Sequence, residues 1–264
     1  MKNKIFSGSW SNREDDLRQL KRYHEFDVMF YRTNLYIHEK RVRAIVKKLL
    51  NTALSFYPKL DIKKTFLISE HHDDYELILK GGDISFQLKL MMNGSERSSL
   101  KEEEINAAQK IACIYHNPDI EGYKYEDLLI HAILKDCIEA QLHSFADKID
   151  GYCEAVHEVL AENTVFLEPV INYQVKIFNH PQENFPLIKK IFNGRETKNT
   201  LFDFPVIDLK SFFQKGNIGA KPHTTETIRR KTIIPHYETW KEITLSIFED
   251  GMDLLTKQVE FHKK

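Results

Sequence analysis

The sequence predicts an all-α fold, and three observations carry that prediction. Glycine and proline are scarce, 10 and 8 in 264 residues, and between Asp15 and Leu160 only Pro58 and Pro118 interrupt the chain, so little there breaks a helix. Apolar residues recur at three- and four-residue spacing over long stretches. An apolar content of 42% over this length is enough to bury a real core. No internal repeat or low-complexity tract suggests an array instead.

Taken in order, the stretch HEKRVRAIVKKLLNTALSF sets Val42, Ile45, Val46, Leu49, Leu50 and Ala53 on one helical face, with Lys and Arg opposite. Tyr57-Pro58 ends it, because a residue before proline is pushed out of the α region. A second helix begins near Ile62 and carries Phe66, Leu67 and Ser69 toward the charged run SEHHDDYELILKGGD, Ser69 to Asp83. The helical pattern continues over Glu102 to Tyr115 and over Tyr125 to Leu160, the latter as one extended helix or two joined pieces, with Asn163 as a stop. After Thr164 the texture changes. Pro169, Pro181, Pro186, Pro205, Pro222 and Pro235 fall among aromatics such as Phe185, Phe192, Phe204 and Phe212, predicting an irregular arm of short helices held by its rings. A final amphipathic helix is expected from Tyr237 to Phe261, with Trp240, Ile243, Ile247, Leu254, Leu255 and Val259 on its apolar side. The chain therefore reads as one helical domain over 15–162 and a C-terminal extension over 163–264 packed on it.

Charge narrows the partners. Lys plus Arg number 38 against 39 Asp plus Glu, so no overall field draws in a nucleic acid polymer or an anionic membrane, and any phosphate must be met locally. Cys113, Cys137 and Cys153 are odd in number, far apart and without a CxxC pair. They read as ordinary thiols of a reducing compartment. No run of ~18 apolar residues occurs and the N-terminal stretch turns acidic early, so the expected location is the cytoplasm.

Chemistry concentrates in three motifs: His38 in YRTNLYIHEKRV, the His72-Asp73 pair in HHDDYELILKGGD, and Asp147 in FADKIDGYCEAVHE. Imidazole nitrogen and carboxylate oxygen are the ligands of divalent ions in open catalytic sites, and such ligands must converge from different helices. Adjacent His and Asp can share one ion where the helix turns. His71 also precedes the pair, but the offset to Glu76 favours His72.

In order, spacing and surroundings these motifs resemble the HD superfamily of metal-dependent phosphohydrolases, over roughly Tyr23 to Glu162, and most closely the bacterial 5′-deoxynucleotidase type. The resemblance implies a helical bundle in which His38, His72, Asp73 and Asp147 bind one divalent ion, such as Mn, Co, Mg, Fe, Ni or Zn. It implies that Glu76 activates the attacking water, and that an aspartate after the glycines, here Asp83, completes the acid/base set. LKGGD runs two residues longer than the family pattern. The expected reaction is release of phosphate from a nucleotide, foremost a (deoxy)nucleoside 5′-monophosphate. The alternatives are hydrolysis of nucleoside triphosphates, cyclic nucleotides or alarmones, and a non-catalytic nucleotide-binding module. Members of the family are commonly dimers, and the last helix could serve a homodimer interface.

Further residues can be weighed by chemistry. Arg32 has a fork suited to a phosphate or to a structural ion pair. His143 lies one turn before Asp147 and reads as a supporting or substrate-contacting group rather than a ligand of a second ion. Asp150 is placed to hold a ligand in position, Lys148 to sit at the rim, and Glu154 and Glu158 to form a solvated stripe. In GAKPHTTETIRRKTIIP, Lys221 and His223 either belong to a surface loop or fold back onto a nucleotide phosphate. No P-loop, dinucleotide fingerprint or nucleophile elbow is present.

Overall fold

The computed structural model describes residues 6–23, 26, 33–160, 163–192 and 237–247. Among them the protein is all-α, apart from one antiparallel hairpin of Asp119–Ile120 with Tyr123–Lys124. The α-helices follow as α1 (Arg13–Gln19), α2 (Leu35–Phe56), α3 (Ile62–His71), α4 (Phe86–Met91), α5 (Gly94–Ile114), α6 (Tyr125–Leu134), α7 (Ile138–Leu160), α8 (Leu167–Gln174), α9 (Pro181–Asn184) and α10 (Tyr237–Ile247). None of the described helices is long and apolar enough to cross a membrane.

Helix α2 starts just before His38, where the Asn34 side chain accepts the Ile37 N–H at 3.0 Å and satisfies one of the free donors of the first turn. Every residue of its expected apolar stripe, Val42, Ile45, Val46, Leu49, Leu50 and Ala53, is buried. The helix lies against α3 and α7, and α10 packs on it as well. On α7, Leu142, Phe145, Ala146, Ile149, Tyr152, Val156 and Val159 bury a second stripe. The same core runs on through Phe166, Val170, Tyr173, Phe185 and Ile188 to Trp240 and Ile243. At ~1.5–3 kcal/mol for each buried large side chain, the described part of the arm is fastened by its aromatics, as its composition suggested. A separate cluster joins Tyr75 and Leu79 to Ala108 and Ile111 of α5, to Tyr115 at its C-cap, and to Tyr125 and Leu129 of α6. The loop after α3 is thus gripped from both sides.

Several boundaries differ from the sequence reading for local reasons. Tyr125 to Leu160 forms two helices, because Lys135 adopts the left-handed region at φ 56° and ends α6. Helix α5 begins at Gly94 rather than Glu102. Asn93 and Glu96 cap it reciprocally, the Asn93 side chain accepting the Glu96 N–H at 3.0 Å and the Glu96 carboxylate accepting the Asn93 N–H at 2.8 Å. Of the helix expected over Tyr237 to Phe261, α10 covers the described part.

Candidate metal centre

Helices α2, α3 and α7 pack against one another, and the four predicted ligands meet where they do. His38 Nε2 stands 3.1 Å from His72 Nε2, 3.3 Å from Asp73 Oδ2 and 3.4 Å from Asp147 Oδ1. His72 Nε2 is 3.1 Å from Asp73 Oδ2. Donor atoms at ~2.0–2.2 Å from one ion stand roughly 3.0–3.5 Å apart, and these separations match the edges of such a coordination polyhedron. His38, His72 and Asp73 form the compact trio, with all donor atoms within 4.8 Å. Asp147 joins from the His38 side. Helix α3 stops at His71 with His72 as its C-cap, and this break lets two adjacent side chains face one point, which a continuous helix would splay by ~100°.

Tautomers decide whether the cluster fits a cation. His38 Nδ1 lies 2.7 Å from Asp150 Oδ2 and His72 Nδ1 lies 3.2 Å from the Ser69 carbonyl. Both partners accept, so both Nδ1 atoms carry a proton. Against burial and Arg22, the hydrogen bonds to Asp147, Asp150 and Asp73 raise the His38 pKa well above the ordinary imidazole value, so a proton on Nε2 can serve the contact with His72; a divalent ion in its place would meet two imidazole nitrogens and two carboxylates, a donor set that fits it.

His71 points elsewhere. Its Nδ1 is 3.2 Å from Asp74 Oδ2, and Asp74 also binds Arg13 Nε at 2.5 Å and the Tyr125 hydroxyl at 2.7 Å. Arg13 Nη2 continues to Glu39 at 2.7 Å. This network secures the residues next to His38 and Asp73 from behind.

Behind His38 the support is denser. Asp150 is fully buried and accepts from Arg41 Nε at 2.6 Å, Arg41 Nη2 at 3.0 Å, Arg22 Nη1 at 3.3 Å and Trp240 Nε1 at 2.8 Å, besides His38. Against the burial that would raise it, Arg41 and His38 hold its carboxyl well below the usual range. Asp150 thus fixes the ring of His38, one of the expected ligands. Glu154 corrects the expectation of a solvated stripe: it is buried, with Arg41 Nη2 at 2.7 Å, Arg22 Nη1 at 3.4 Å and the Thr33 hydroxyl on it. Glu158 is buried too and accepts from Asn163 Nδ2 at 2.6 Å. Lys148 is likewise not splayed to the rim, since its flexible chain returns Nζ to Asp147 Oδ2.

Among the described residues, the opposite side has fewer ion pairs. Glu76 lies on a 3₁₀ turn, Asp74–Leu77, rather than on a continuation of α3. It is buried, and its Oε2 has no hydrogen-bond partner among the described residues. Burial, then the charges of Asp73 and Asp83, push its carboxyl well above the ordinary value. His143 is buried with its ring centroid 4.3 Å from that of His72 and its Nδ1 unpartnered among the described residues. Burial and then His72 keep it well below the usual imidazole value, hence neutral. Asp83 is placed by the glycine pair. Gly81 and Gly82 take φ of 108° and 70°, a region open to glycine, and the chain turns so that Asp83 accepts the Tyr23 N–H at 3.2 Å and pairs with Arg22 Nε at 3.7 Å.

The sequence reading missed Arg22 and Arg41. Arg41 had a signal, since it lies three residues after His38 on the same face. So did the buried polar stripe His143, Asp147, Asp150, Glu154 and Glu158, which recurs at helical spacing. Arg22, in the bend after α1, had none short of the fold. Arg32, Lys221 and His223 lie outside the described residues. No protein-family model matches the chain, and no curated protein matches it in sequence.

Proposed function

We propose that the protein is a divalent-metal-dependent phosphohydrolase of the HD type, releasing phosphate from a nucleotide, with a (deoxy)nucleoside 5′-monophosphate as its minimal substrate. The observation that carries this reading is the convergence of His38 Nε2 and His72 Nε2, 3.1 Å apart, beside the carboxylates of Asp73 and Asp147. His38, His72, Asp73 and Asp147 would hold the ion. When bound, it would polarise a phosphoryl oxygen and lower the pKa of water.

The remaining groups fit hydrolysis. A water oxygen adds to phosphorus and the ester P–O bond breaks. Glu76, whose buried carboxyl already favours a proton, accepts the one released by the water. Glu76 then passes that proton to the ester oxygen, which leaves as an alcohol. Arg22, buried and facing Asp83, Asp150 and Glu154, keeps a fixed positive charge near the centre that a phosphate oxygen can share. A pure binding module has little use for a buried carboxylate with an unpartnered oxygen beside such a centre, which supports the catalytic reading.

The test is metal analysis of the purified protein, followed by phosphate release from a nucleotide panel with Mn, Co and Mg. Ion-dependent release, stopped by chelation, is expected. Absence of release from every nucleotide would transfer the site to the binding-module reading.

A further inference from the structure

The turn between α6 and α7 gathers three metal-ligating side chains that the hydrolysis does not use. Helix α6 ends at Leu134 and α7 begins at Ile138, so only Lys135, Asp136 and Cys137 join them. Lys135 makes so short a turn possible. At φ 56° it takes the left-handed region, and its N–H donates to the His131 carbonyl at 2.8 Å. Gln141 Nε2 donates to the Lys135 carbonyl at 3.2 Å and fixes the turn from the α7 side. The chain thus doubles back on the last turn of α6. His131, Asp136 and Cys137 meet there, each offering one ligand atom, and these three atoms lie within 4.8 Å of one another.

The donor set differs from that of the main centre. It joins an imidazole and a carboxylate to a thiol, whereas His38, His72, Asp73 and Asp147 supply no sulfur. A thiolate selects zinc and softer ions over magnesium, calcium or manganese. Around zinc, with bonds of ~2.0–2.2 Å to nitrogen or oxygen and ~2.3 Å to sulfur, tetrahedral neighbours stand roughly 3.3–3.7 Å apart. Side-chain rotation closes the remaining gap, since Asp136 is exposed and His131 and Cys137 are half-buried. His131 Nδ1 and Asp136 Oδ1 already hold each other at 2.6 Å. Cys137 packs against the cluster of Leu67, Ile68, Leu128, Ala132 and Ala140. The ligands are therefore largely in place, and little further ordering is lost on binding.

We infer that His131, Asp136 and Cys137 form a second metal site, for zinc, with its fourth position open to water or to an outside ligand. Loading is an exchange: the sulfur–hydrogen bond of Cys137 breaks, a sulfur–zinc bond forms and the proton leaves to solvent. His131 belongs to α6 and Cys137 leads into α7, so the ion fastens the turn between the two helices. Asp147 lies roughly 15 Å further along α7, at ~1.5 Å per residue. The second site is separate from the first, and it does not rest on the phosphohydrolase reading.

The experiment is cobalt titration of the full chain under reducing conditions, after metal has been stripped with a chelator, cobalt serving as the visible stand-in for zinc. A thiolate–cobalt bond gives a near-ultraviolet charge-transfer band, which the imidazole and carboxylate ligands of the main centre do not. The wild type should develop that band to saturation at one thiolate-bound cobalt per chain, lose it on addition of zinc and keep it in a large excess of magnesium. In Cys137→Ser the band should be absent. In His131→Gln, which leaves the thiol in place, the cobalt affinity read from the band should fall at least ~10-fold. In Asp73→Ala, which disables the main centre, the band should persist. No band in the wild type, a band retained in Cys137→Ser, with Cys113 or Cys153 as its source, or an affinity unmoved in His131→Gln would each overturn the site.

Discussion

The two sides of the centre are built on opposite principles. On the His38 side, one carboxylate, Asp150, collects a ring nitrogen, two guanidinium groups and an indole, and Glu154 absorbs the remaining positive charge. On the His72 side, support is a single backbone carbonyl, while Glu76 and His143 keep buried polar atoms unpartnered among the described residues. Arg41 Nη1 and Glu154 Oε2 also have no hydrogen-bond partner among the described residues, so the difference is one of charge pairing: the first side binds opposite charges into a network, which rigidifies, and the second buries Glu76 and His143 without such a network. Under the proposed function one side would hold a ligand still, and the other would exchange a proton or meet a substrate.

Substitutions can test that division. The largest effect belongs to the shared centre: Asp73→Ala should abolish metal-dependent turnover, with the helical circular dichroism retained. Full activity in that variant would dismiss the metal assignment. Glu76→Gln should lower kcat by ~10²–10⁴-fold, while the bound-metal content and the unfolding midpoint do not fall. A lost midpoint with preserved kcat would place Glu76 in the holding half and erase the contrast. Asp150→Asn should act the other way, weakening metal affinity by ~10–100-fold and stability by ~3–5 kcal/mol, because Arg41 and Arg22 stay buried without their shared anion. Chelator competition and denaturant titration measure both.

A smaller effect concerns acid stability. His157 is buried against Trp240, with ring centroids 5.5 Å apart. Burial first, with Arg41 and Lys241 adding to it, lowers its pKa to about 4. Its unfolded value is ~6.5, so below that pH the unfolded chain takes a proton the folded chain refuses. Its contribution is complete above pH ~6.5 and falls by roughly 3 kcal/mol on the way to pH ~4. His157→Gln should flatten that portion of the stability profile. An unchanged slope would show that His157 titrates normally.

The sequence made parts of this legible for definable reasons. The α2 stripe could be read because one face is apolar and the other is not. His38, His72, Asp73 and Asp147 stood out as a set of metal-binding residue types, and the structure brings their donor atoms together. The break at His72 was not legible, since Asp and Tyr continue a helix as readily as a turn. Glu154 and Glu158 misled because a polar stripe reads as solvated unless one knows that its face is covered, here by Arg41 and Arg22 at Glu154 and by Asn163 at Glu158. The longer glycine loop, which looked anomalous, is the turn that returns Asp83 to Arg22.

The bond from Trp240 to Asp150 joins residues 90 positions apart. Synthesis runs from the N-terminus, so a ribosome that has already made all four metal-facing side chains has not yet made the indole that completes their support. A chain cut or stalled before residue 240 carries the whole ligand set with an unfinished buttress behind His38. The last described helix therefore makes full support of His38 depend on a chain made past residue 240.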